Sequence, residues 1–344
     1  MLHELEIQGF RCFPALTAKP LGRVNLIVGK NNSGKTAFLD AVEMLVWDGD
    51  TPLVFRSLAR REEYSWKVVD QGQGKIVNRF DLDVPNLFYG HSVSLESSFS
   101  IRGDARSFSA HCIREDAMFG LPSLEIFAMG KVWRFDLAAG YTRRIETPGS
   151  LEELFTRSRT EVLFLPTWRS DLVFLSRLWD EVLLTDDESL AVEAMKLIEP
   201  RVERIAFRGE GEDRNVAVRL KGEKQPRWLG SLGDGMRHML ALALHLVPSQ
   251  NGYLLIDEID TGLHHSVMAK MWRMVMESAR RLNIQVFATT HGIDCIHALA
   301  EVHQQMNLTP DDVMLHRLEP DLAKTISYTP DEIVDAAKFR AEVR

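Results

Sequence analysis

The stretch Gly29-Lys30-Asn31-Asn32-Ser33-Gly34-Lys35-Thr36 fits the phosphate-loop motif G-x-x-x-x-G-K-[ST] at every fixed position. The apolar run 24–28 before it predicts a strand, and residues 37–45 after it predict a helix. Glycines let backbone N–H groups turn toward a phosphate chain, and the N-terminus of the next helix adds its positive dipole end. The stretch therefore predicts a binding site for a nucleoside triphosphate.

The side chains of this loop have separate predicted roles. Lys35 would reach the β- and γ-phosphates and act in catalysis, and the Thr36 hydroxyl would hold Mg²⁺. The predicted nucleotide-binding residues of the loop are Gly29, Asn31, Asn32, Ser33, Gly34, Lys35 and Thr36.

Two adjacent carboxylates, Asp257 and Glu258, follow a second apolar run at 253–256. Ligands of open α/β sheets bind beyond the carboxyl ends of the strands, so we expect both carboxylates to face the phosphate loop. Asp257 is predicted to hold Mg²⁺ together with Thr36. Glu258 is predicted to orient the water that attacks the γ-phosphate, or to accept its proton.

A third apolar run, 285–288, leads through two threonines to His291. A histidine at a strand end is often purely structural. Its position one helix and one strand after the acidic pair favours a catalytic role, in which it senses the γ-phosphate and helps to hold the attacking water.

The segment from Leu229 to Gly235 predicts a second anion site. Its glycines free the backbone, Ser231 offers a hydroxyl, and a helix is predicted over 236–247 with Asp234 as its cap. One nucleotide does not need two phosphate sites on the same chain, so we infer that this segment serves a nucleotide held by another subunit. A helix start without a ligand is the alternative. The predicted contact residues are Ser231, Gly233, Asp234 and Gly235.

The composition is that of a globular protein, with 344 residues, 45% hydrophobic residues and a formal charge of −8. This charge argues against a broadly basic nucleic-acid-binding protein. Two arginine clusters are predicted to lie on solvated faces: one at Arg56, Arg60 and Arg61, and one at Arg201, Arg204 and Arg208.

Three widely spaced cysteines predict neither disulfides nor a zinc site. The sequence has no stretch typical of a signal peptide or of a membrane span. We therefore expect a cytoplasmic protein with no membrane partner.

Alternation of strand and helix patterns predicts an α/β fold with a parallel sheet, in one domain over 1–344. Within it, residues 49–80 are predicted as an insertion or mobile segment, 80–147 as an antiparallel β subdomain and 150–200 as a mainly helical lobe. Residues 201–344 form the half that carries the last three motifs. Two further strands are predicted at Val202–Arg208 and Asn215–Leu220.

The order of the four motifs resembles that of ABC-type ATPase heads, and their spacing resembles the RecF, SMC and OLD (overcoming lysogenisation defect) group. Residues 256–265, 290–296 and 86–91 further resemble the stand-alone OLD-like AAA ATPases of bacteria and archaea. The resemblance implies a P-loop NTPase head with a mixed or parallel sheet that hydrolyses ATP as a homodimer. Each ATP would lie between the phosphate loop of one copy and Ser231 and Gly233 of the other, and Asp260 would lie near the dimer seam.

The chain also departs from those families. We expect no nuclease domain like that of full-length OLD proteins, since the sequence leaves no room for one after about residue 325, and the sequence lacks the heptads of an SMC coiled coil. The metal-contacting glutamine of the family stays unassigned. We therefore expect an ATP-driven switch that controls a separate effector, such as a nuclease or toxin, in anti-phage defence or a DNA-related process. The alternative is an ATP-dependent clamp of RecF or SMC type with DNA as its partner.

Overall fold

The computed structural model describes residues 1–47, 54–72, 75–114, 121–147, 162–167, 172–209, 214–319 and 321–338. The strands in this part of the chain are β1 (Leu5–Phe10), β2 (Phe13–Ala18), β3 (Val24–Val28), β4 (Tyr64–Asp70), β5 (Ile76–Asp83), β6 (Ser98–Gly103), β7 (Arg106–Arg114), β8 (Pro122–Ala128), β9 (Lys131–Asp136), β10 (Thr142–Thr147), β11 (Val162–Leu165), β12 (Val202–Arg208), β13 (Asn215–Leu220), β14 (Arg227–Trp228), β15 (Tyr253–Ile256), β16 (Gln285–Thr289), β17 (Val313–Arg317) and β18 (Ile326–Tyr328).

The α-helices in the same ranges are α1 (Lys35–Val46), α2 (Val54–Arg60), α3 (Leu172–Val182), α4 (Glu188–Lys196), α5 (Asp234–Leu246), α6 (His265–Arg281), α7 (Ile293–Met306) and α8 (Pro330–Lys338). None of them has the length and apolar character that a membrane crossing requires.

The central sheet has the strand order β11-β15-β16-β3-β17-β18. Its first five strands are parallel, and β18 runs antiparallel to β17 at the edge. Every residue of β3, β15 and β16 is buried, as in parallel sheets that are covered on both faces. The three apolar runs before the motifs are therefore confirmed as neighbouring strands of one sheet.

Alternate residues of these strands belong to two hydrophobic cores. Leu254 and Ile256 pack in the core built with α5, α6 and α7. Tyr253 and Leu255 pack in the core with α1 and the antiparallel strands. The period of two along the strand therefore places the helices of the last three motifs on one face of the sheet and α1 on the other.

A second six-stranded sheet, entirely antiparallel, has the order β2-β1-β6-β7-β8-β9. It joins strands from the start of the chain to strands of the range 80–147. Three-stranded sheets are formed by β10-β5-β4 and by β12-β13-β14. Strands Val202–Arg208 and Asn215–Leu220 are confirmed with the predicted bounds.

The chain therefore has the predicted α/β P-loop NTPase fold, with one mainly parallel sheet and several antiparallel ones. The segment predicted as an insertion, 49–80, contains α2, β4 and the start of β5 in its described part. Of the predicted helical lobe, residues 150–161 and 168–171 lie outside the described residues, and the rest includes α3 and α4 around the short strand β11.

Candidate functional site

The phosphate loop lies between β3 and α1. Gly29 (φ 151°) and Gly34 (φ 95°) both adopt a backbone conformation that favours glycine. A Cβ on Gly29 would lie 2.6 Å from the Ser33 hydroxyl, and one on Gly34 would lie 2.6 Å from the Cys12 sulfur. Gly34 precedes the first residue of α1 and provides no side chain to cap it. The first N–H groups of α1 therefore stay available to an anion.

Lys35 is buried and folds back onto the loop. Its Nζ donates to the carbonyl oxygens of Gly29 (2.9 Å) and Lys30 (2.8 Å). Burial lowers the pKa of Lys35, and the nearby carboxylates of Asp257 and Glu258 oppose this shift. The ammonium group thus lies within the loop where a phosphate would bind.

Thr36 and Asp257 meet beside the loop. The Thr36 hydroxyl lies 3.3 and 3.1 Å from the two carboxylate oxygens of Asp257. Thr289, at the end of β16, donates to the same carboxylate at 2.7 Å. Hydroxyl and carboxylate oxygens are the ligands that Mg²⁺ prefers, so the chemistry of this pair fits that metal. The sequence analysis predicts no role for Thr289, although Thr289 lies in the third motif next to His291.

Glu258 and His291 also lie together. His291 Nε2 is 3.3 Å from Glu258 Oε1, and both side chains are partly exposed. Glu258 has a positive φ of 53°. Its backbone N–H donates to the Thr289 hydroxyl at 2.8 Å, and Thr261 donates to its Oε2 at 3.3 Å. This conformation directs the Glu258 carboxylate toward His291 rather than along the strand.

These groups line one cavity of about 760 Å³. On one side are phosphate-loop residues together with Asp257, Glu258 and His291. The other side is built by residues to which the sequence assigned no role: Arg11, Cys12, Arg61, Glu63 and His91. The clearest sequence signal for these residues is the family resemblance of the stretch 86–91, which ends at His91.

The Ser231 segment is not among the residues that line this cavity. Residues Leu229–Leu232 form a single 3₁₀ turn, in which exposed Ser231 donates to the Trp228 carbonyl oxygen at 2.7 Å. Gly233 has a positive φ of 94° and precedes α5. The four motifs are thus not all brought together within one chain.

The predicted cap at Asp234 is wrong. Helix α5 already begins at Asp234, and the N-cap residue Gly233 offers no side chain for a cap hydrogen bond. Asp234 instead lies in the first turn, where a carboxylate interacts favourably with the helix dipole. The helix therefore covers Asp234–Leu246 rather than 236–247.

The start of α5 packs on the loop that follows the acidic pair. A Cβ on Gly235 would lie 2.6 Å from the Gly262 carbonyl oxygen. His238, one turn further along α5, donates from Nε2 to the Ile259 carbonyl oxygen at 2.8 Å. Burial lowers the pKa of His238 below its usual value, and the hydrogen bond to the Ile259 carbonyl opposes this shift. We call this contact, formed by Gly235, His238, Ile259 and Gly262, the helix–loop seam.

The same loop is fixed to the third motif. Thr290 donates to the Asp260 carboxylate at 2.7 Å, and the Gly292 N–H donates to the Thr290 hydroxyl at 2.9 Å. A Cβ on Gly292 would collide with the Asp260 carboxylate. Asp260 is thus fixed to Thr290, the residue before His291.

The family described as "AAA domain, putative AbiEii toxin, Type IV TA system" matches residues 24–292, a range that contains all four motifs. The chain belongs to this family. The AAA-type domain predicted from the motifs is thereby confirmed.

Curated relatives of this AAA domain are distant. An "ATP/GTP phosphatase" of Helicobacter pylori is 20% identical over 338 residues, which cover 88% of each chain. The uncharacterized protein MJECL11 of Methanocaldococcus jannaschii is 37% identical over 70 residues, 20% of this chain and 61% of that protein. The aligned part is therefore less than two thirds of the archaeal protein's length.

Solved structures with a similar course of the chain include heads of SMC proteins. One is an SMC head bound to the C-terminal winged-helix domain of ScpA, at 12% identity and a TM-score of 0.49, with 95% of this chain and 97% of that chain covered. Another is the SMC head domain from Thermotoga maritima, at 15% identity and a TM-score of 0.44, with 95% and 98% covered.

In this AAA domain the first arginine cluster is not a solvated face, contrary to the prediction. Arg60 and Arg61 bond to the fully buried Asp40 of α1, at 2.7 and 2.8 Å, and Arg11 approaches it to 3.3 Å. Burial disfavours the charged form of Asp40, but the three guanidinium groups outweigh it and keep the pKa of its carboxyl below the usual value. Arg56 lies 3.7 Å from the buried Glu43.

We call Arg11, Asp40, Glu43, Arg60 and Arg61 the α1 charge network. The prediction failed because helical spacing of arginines looks the same over buried carboxylates as over water. The second cluster, Arg201, Arg204 and Arg208, is exposed as predicted.

Proposed function

We propose that this protein is an ATP-hydrolysing switch in which ATP joins two copies and hydrolysis separates them. The observation that carries the proposal is the position of Ser231. The cavity beside the phosphate loop is lined by the cation of Lys35, by Thr36 and Asp257 as candidate Mg²⁺ ligands, and by Glu258 as the candidate base. The second predicted anion site, at Ser231, is exposed on the surface of the same chain. If two copies faced each other, the Ser231 segment of each would meet the phosphate-loop cavity of the other.

Each residue of the cavity has a distinct role in this proposal. Lys35 would exchange its loop carbonyls for the β- and γ-phosphates. Thr36 and Asp257 would hold Mg²⁺, which neutralises charge on the phosphates. Glu258 would accept the proton of the attacking water, and His291, 3.3 Å from that carboxylate, would help to hold the water and the γ-phosphate.

The reaction balances as a hydrolysis. The water oxygen bonds to the γ-phosphorus, and the bond from that phosphorus to the oxygen bridging it to the β-phosphate breaks. The water proton passes to Glu258, and ADP and phosphate leave. The printed name of the Helicobacter pylori relative, an ATP/GTP phosphatase, supports this reaction class.

The proposed dimer gives the Ser231 segment its role. Ser231 and Gly233 of one copy would contact the γ-phosphate on the other, and Asp234 and Gly235 would present the start of α5 to it. Asp260 would lie close to the interface between the two copies, because the helix–loop seam within each chain joins the Asp260 loop to α5.

We further propose that a separate effector protein responds to the dimer, by analogy with two-component anti-phage systems that pair an ATPase with a separate nuclease or toxin. The family description names a putative AbiEii toxin of a Type IV TA system, and we propose that the effector serves anti-phage defence. The charge of −8 favours a protein over DNA as the partner.

The test uses Glu258→Gln in the full chain. This variant should bind ATP, hydrolyse it about 10³-fold more slowly and accumulate as a dimer, because the base is lost while the phosphate contacts remain. Mass by light scattering with ATP and with ADP, together with phosphate release, reads both properties.

Glu277→Gln on the exposed face of α6 makes the same charge change away from the cavity and should behave as wild type. A Glu258→Gln protein that stays monomeric with ATP, or that hydrolyses it at the wild-type rate, would contradict the proposal.

A further inference from the structure

Arg237 lies in the first turn of α5, next to the Ser231 segment. Its guanidinium is packed over Gly230, where any Cβ would collide with Nη2. Gly230 has no positive φ, so its backbone conformation does not require glycine. The Arg237 guanidinium therefore occupies the space that a side chain at position 230 would fill, which explains why this residue is glycine.

The Arg237 guanidinium lacks a carboxylate partner among the residues that the structure describes. Across the described ranges of the chain, its guanidinium forms no hydrogen bond and no ion pair, and the side chain is partly exposed. The neighbouring Arg227 differs, because it binds Glu223 through two hydrogen bonds of 2.7 and 2.8 Å. A half-buried arginine that braces the fold would be bonded in the same way. Arg237 instead keeps its donors for a group outside the chain.

We propose that Arg237 is a catalytic residue that acts in trans, contacting the phosphates of the nucleotide held by the phosphate loop of a second copy. The inference rests on the proposed dimer and extends it by one residue. Ser231 and the Arg237 guanidinium flank the same residue, Gly230, so a phosphate that reaches Ser231 also comes within reach of the guanidinium. Its planar fork of N–H groups matches phosphate oxygens, and its charge stabilises the phosphoryl group in the transition state.

Three variants test the role of the guanidinium. Arg237→Ala should lower kcat about 10²- to 10³-fold, somewhat less than the loss typical of an arginine supplied in trans to a nucleotide hydrolase, while its thermal unfolding stays that of the wild type. Arg237→Lys should recover only part of the rate, because an ammonium group cannot bind two oxygens in one plane. Gly230→Ala should lower kcat in the same direction by displacing the guanidinium. Arg208→Ala, at an exposed site on β12, is the matched control.

A mixing experiment decides whether Arg237 acts on its own copy or on the other. Arg237→Ala and Lys35→Ala proteins are each expected to be inactive. In a mixed dimer, the Arg237→Ala copy contributes an intact phosphate loop, and the Lys35→Ala copy faces it with an intact Arg237. ATP hydrolysis should therefore return on mixing, measured as phosphate release. Action within one copy would leave both sites of the mixed dimer defective.

A parallel mixture of Lys35→Ala with Ser231→Ala, which removes only the hydroxyl and leaves the dimer free to form, separates this inference from the proposed function. Recovery in the Ser231 mixture without recovery in the Arg237 mixture would overturn the role of Arg237 and keep the dimer. No recovery in either mixture would overturn both. Wild-type hydrolysis by Arg237→Ala alone would also overturn the inference.

Discussion

The phosphate loop and the Ser231 segment are both predicted anion sites, and they differ in how far the chain completes them. Lys35 is buried and held by two carbonyl oxygens, next to a carboxylate that two hydroxyls already fix. Ser231 is exposed, and within the described residues its hydroxyl bonds only to the carbonyl of Trp228. The chain itself holds Lys35 and Asp257 in place, whereas the Ser231 hydroxyl lies at an exposed turn and, in the proposed dimer, would contact a phosphate held by the other copy.

The largest effect is expected from Lys35→Ala, which removes the cation of the completed site. Loss of charge-assisted hydrogen bonds to phosphate, each worth about 1.5–3 kcal/mol, should weaken ATP binding at least about 10²-fold. Isothermal titration with ATP measures this. Lys30→Ala removes an exposed ammonium from the same loop and should change the affinity little. If Lys35→Ala and Lys30→Ala bound ATP with equal affinity, the buried Lys35 would not be the cation that binds the phosphates.

Ser231→Arg tests the unfinished region. A long side chain at this exposed turn should leave ATP binding to the monomer unchanged and should abolish ATP-dependent dimerisation and hydrolysis. Titration, light scattering and phosphate release measure the three properties. Ser231→Ala, which removes only the hydroxyl, should lower hydrolysis by a smaller factor of about 10. Loss of ATP binding in the monomeric Ser231→Arg protein would show that the segment contributes within its own chain.

Asp40→Asn probes the support beneath the completed region. The α1 charge network would lose its central carboxylate, and three guanidinium groups would then face each other in a buried space. Breaking a buried ion pair in this way costs about 3–5 kcal/mol in the free energy of unfolding. Urea unfolding measures the loss. Asp180→Asn, which breaks the exposed pair of Asp180 with Arg214, should cost no more than about 1 kcal/mol.

The smallest expected effect is on the pH dependence of stability, and it comes from two buried histidines outside the cavity. Burial lowers the pKa of His245 and of His316 to about 4, from an ordinary value of 6.5. The unfolded chain therefore binds these protons below pH 6.5, while the folded chain binds them only near pH 4. Stability should be full above pH 6.5, fall as the pH drops toward 4, and level off below it. Each histidine should remove about 2 kcal/mol between pH 7 and pH 5.

Urea unfolding at a series of pH values measures this slope. His245→Leu should remove about half of the slope that His245 and His316 contribute together. His265→Leu changes an exposed ring and should leave the slope unchanged. An unaltered slope in His245→Leu would assign the acid sensitivity to other groups.

The sequence predicted the parts of the fold and of the site that are contiguous in the chain. Each strand of the central sheet that carries a motif is an apolar run followed directly by its polar residues, so Lys35, Asp257 and His291 could be placed at one sheet edge.

The other wall of the cavity could not be predicted in this way. Arg11, Glu63 and His91 come from three separate segments, and each looks like an ordinary surface residue in the sequence. Arg11 reaches its place by binding Glu63 through its Nη1, at 2.9 and 3.0 Å. Such a pair depends on the packing of the antiparallel sheet against α1, which no local pattern encodes. The misplaced Asp234 has a similar cause, since only the conformation of Gly233 decides where α5 starts.

The helix–loop seam has a consequence for how two ATP molecules would be consumed. His238 and Gly235 fix the start of α5 to the loop that follows Glu258 in the same chain. In the proposed dimer, a shift of the loop that follows Glu258 in one copy would therefore displace the Ser231 segment that this copy presents to its neighbour. Hydrolysis rates should then depend on ATP concentration with positive cooperativity, and His238→Ala should bring the Hill coefficient back toward that of independent sites.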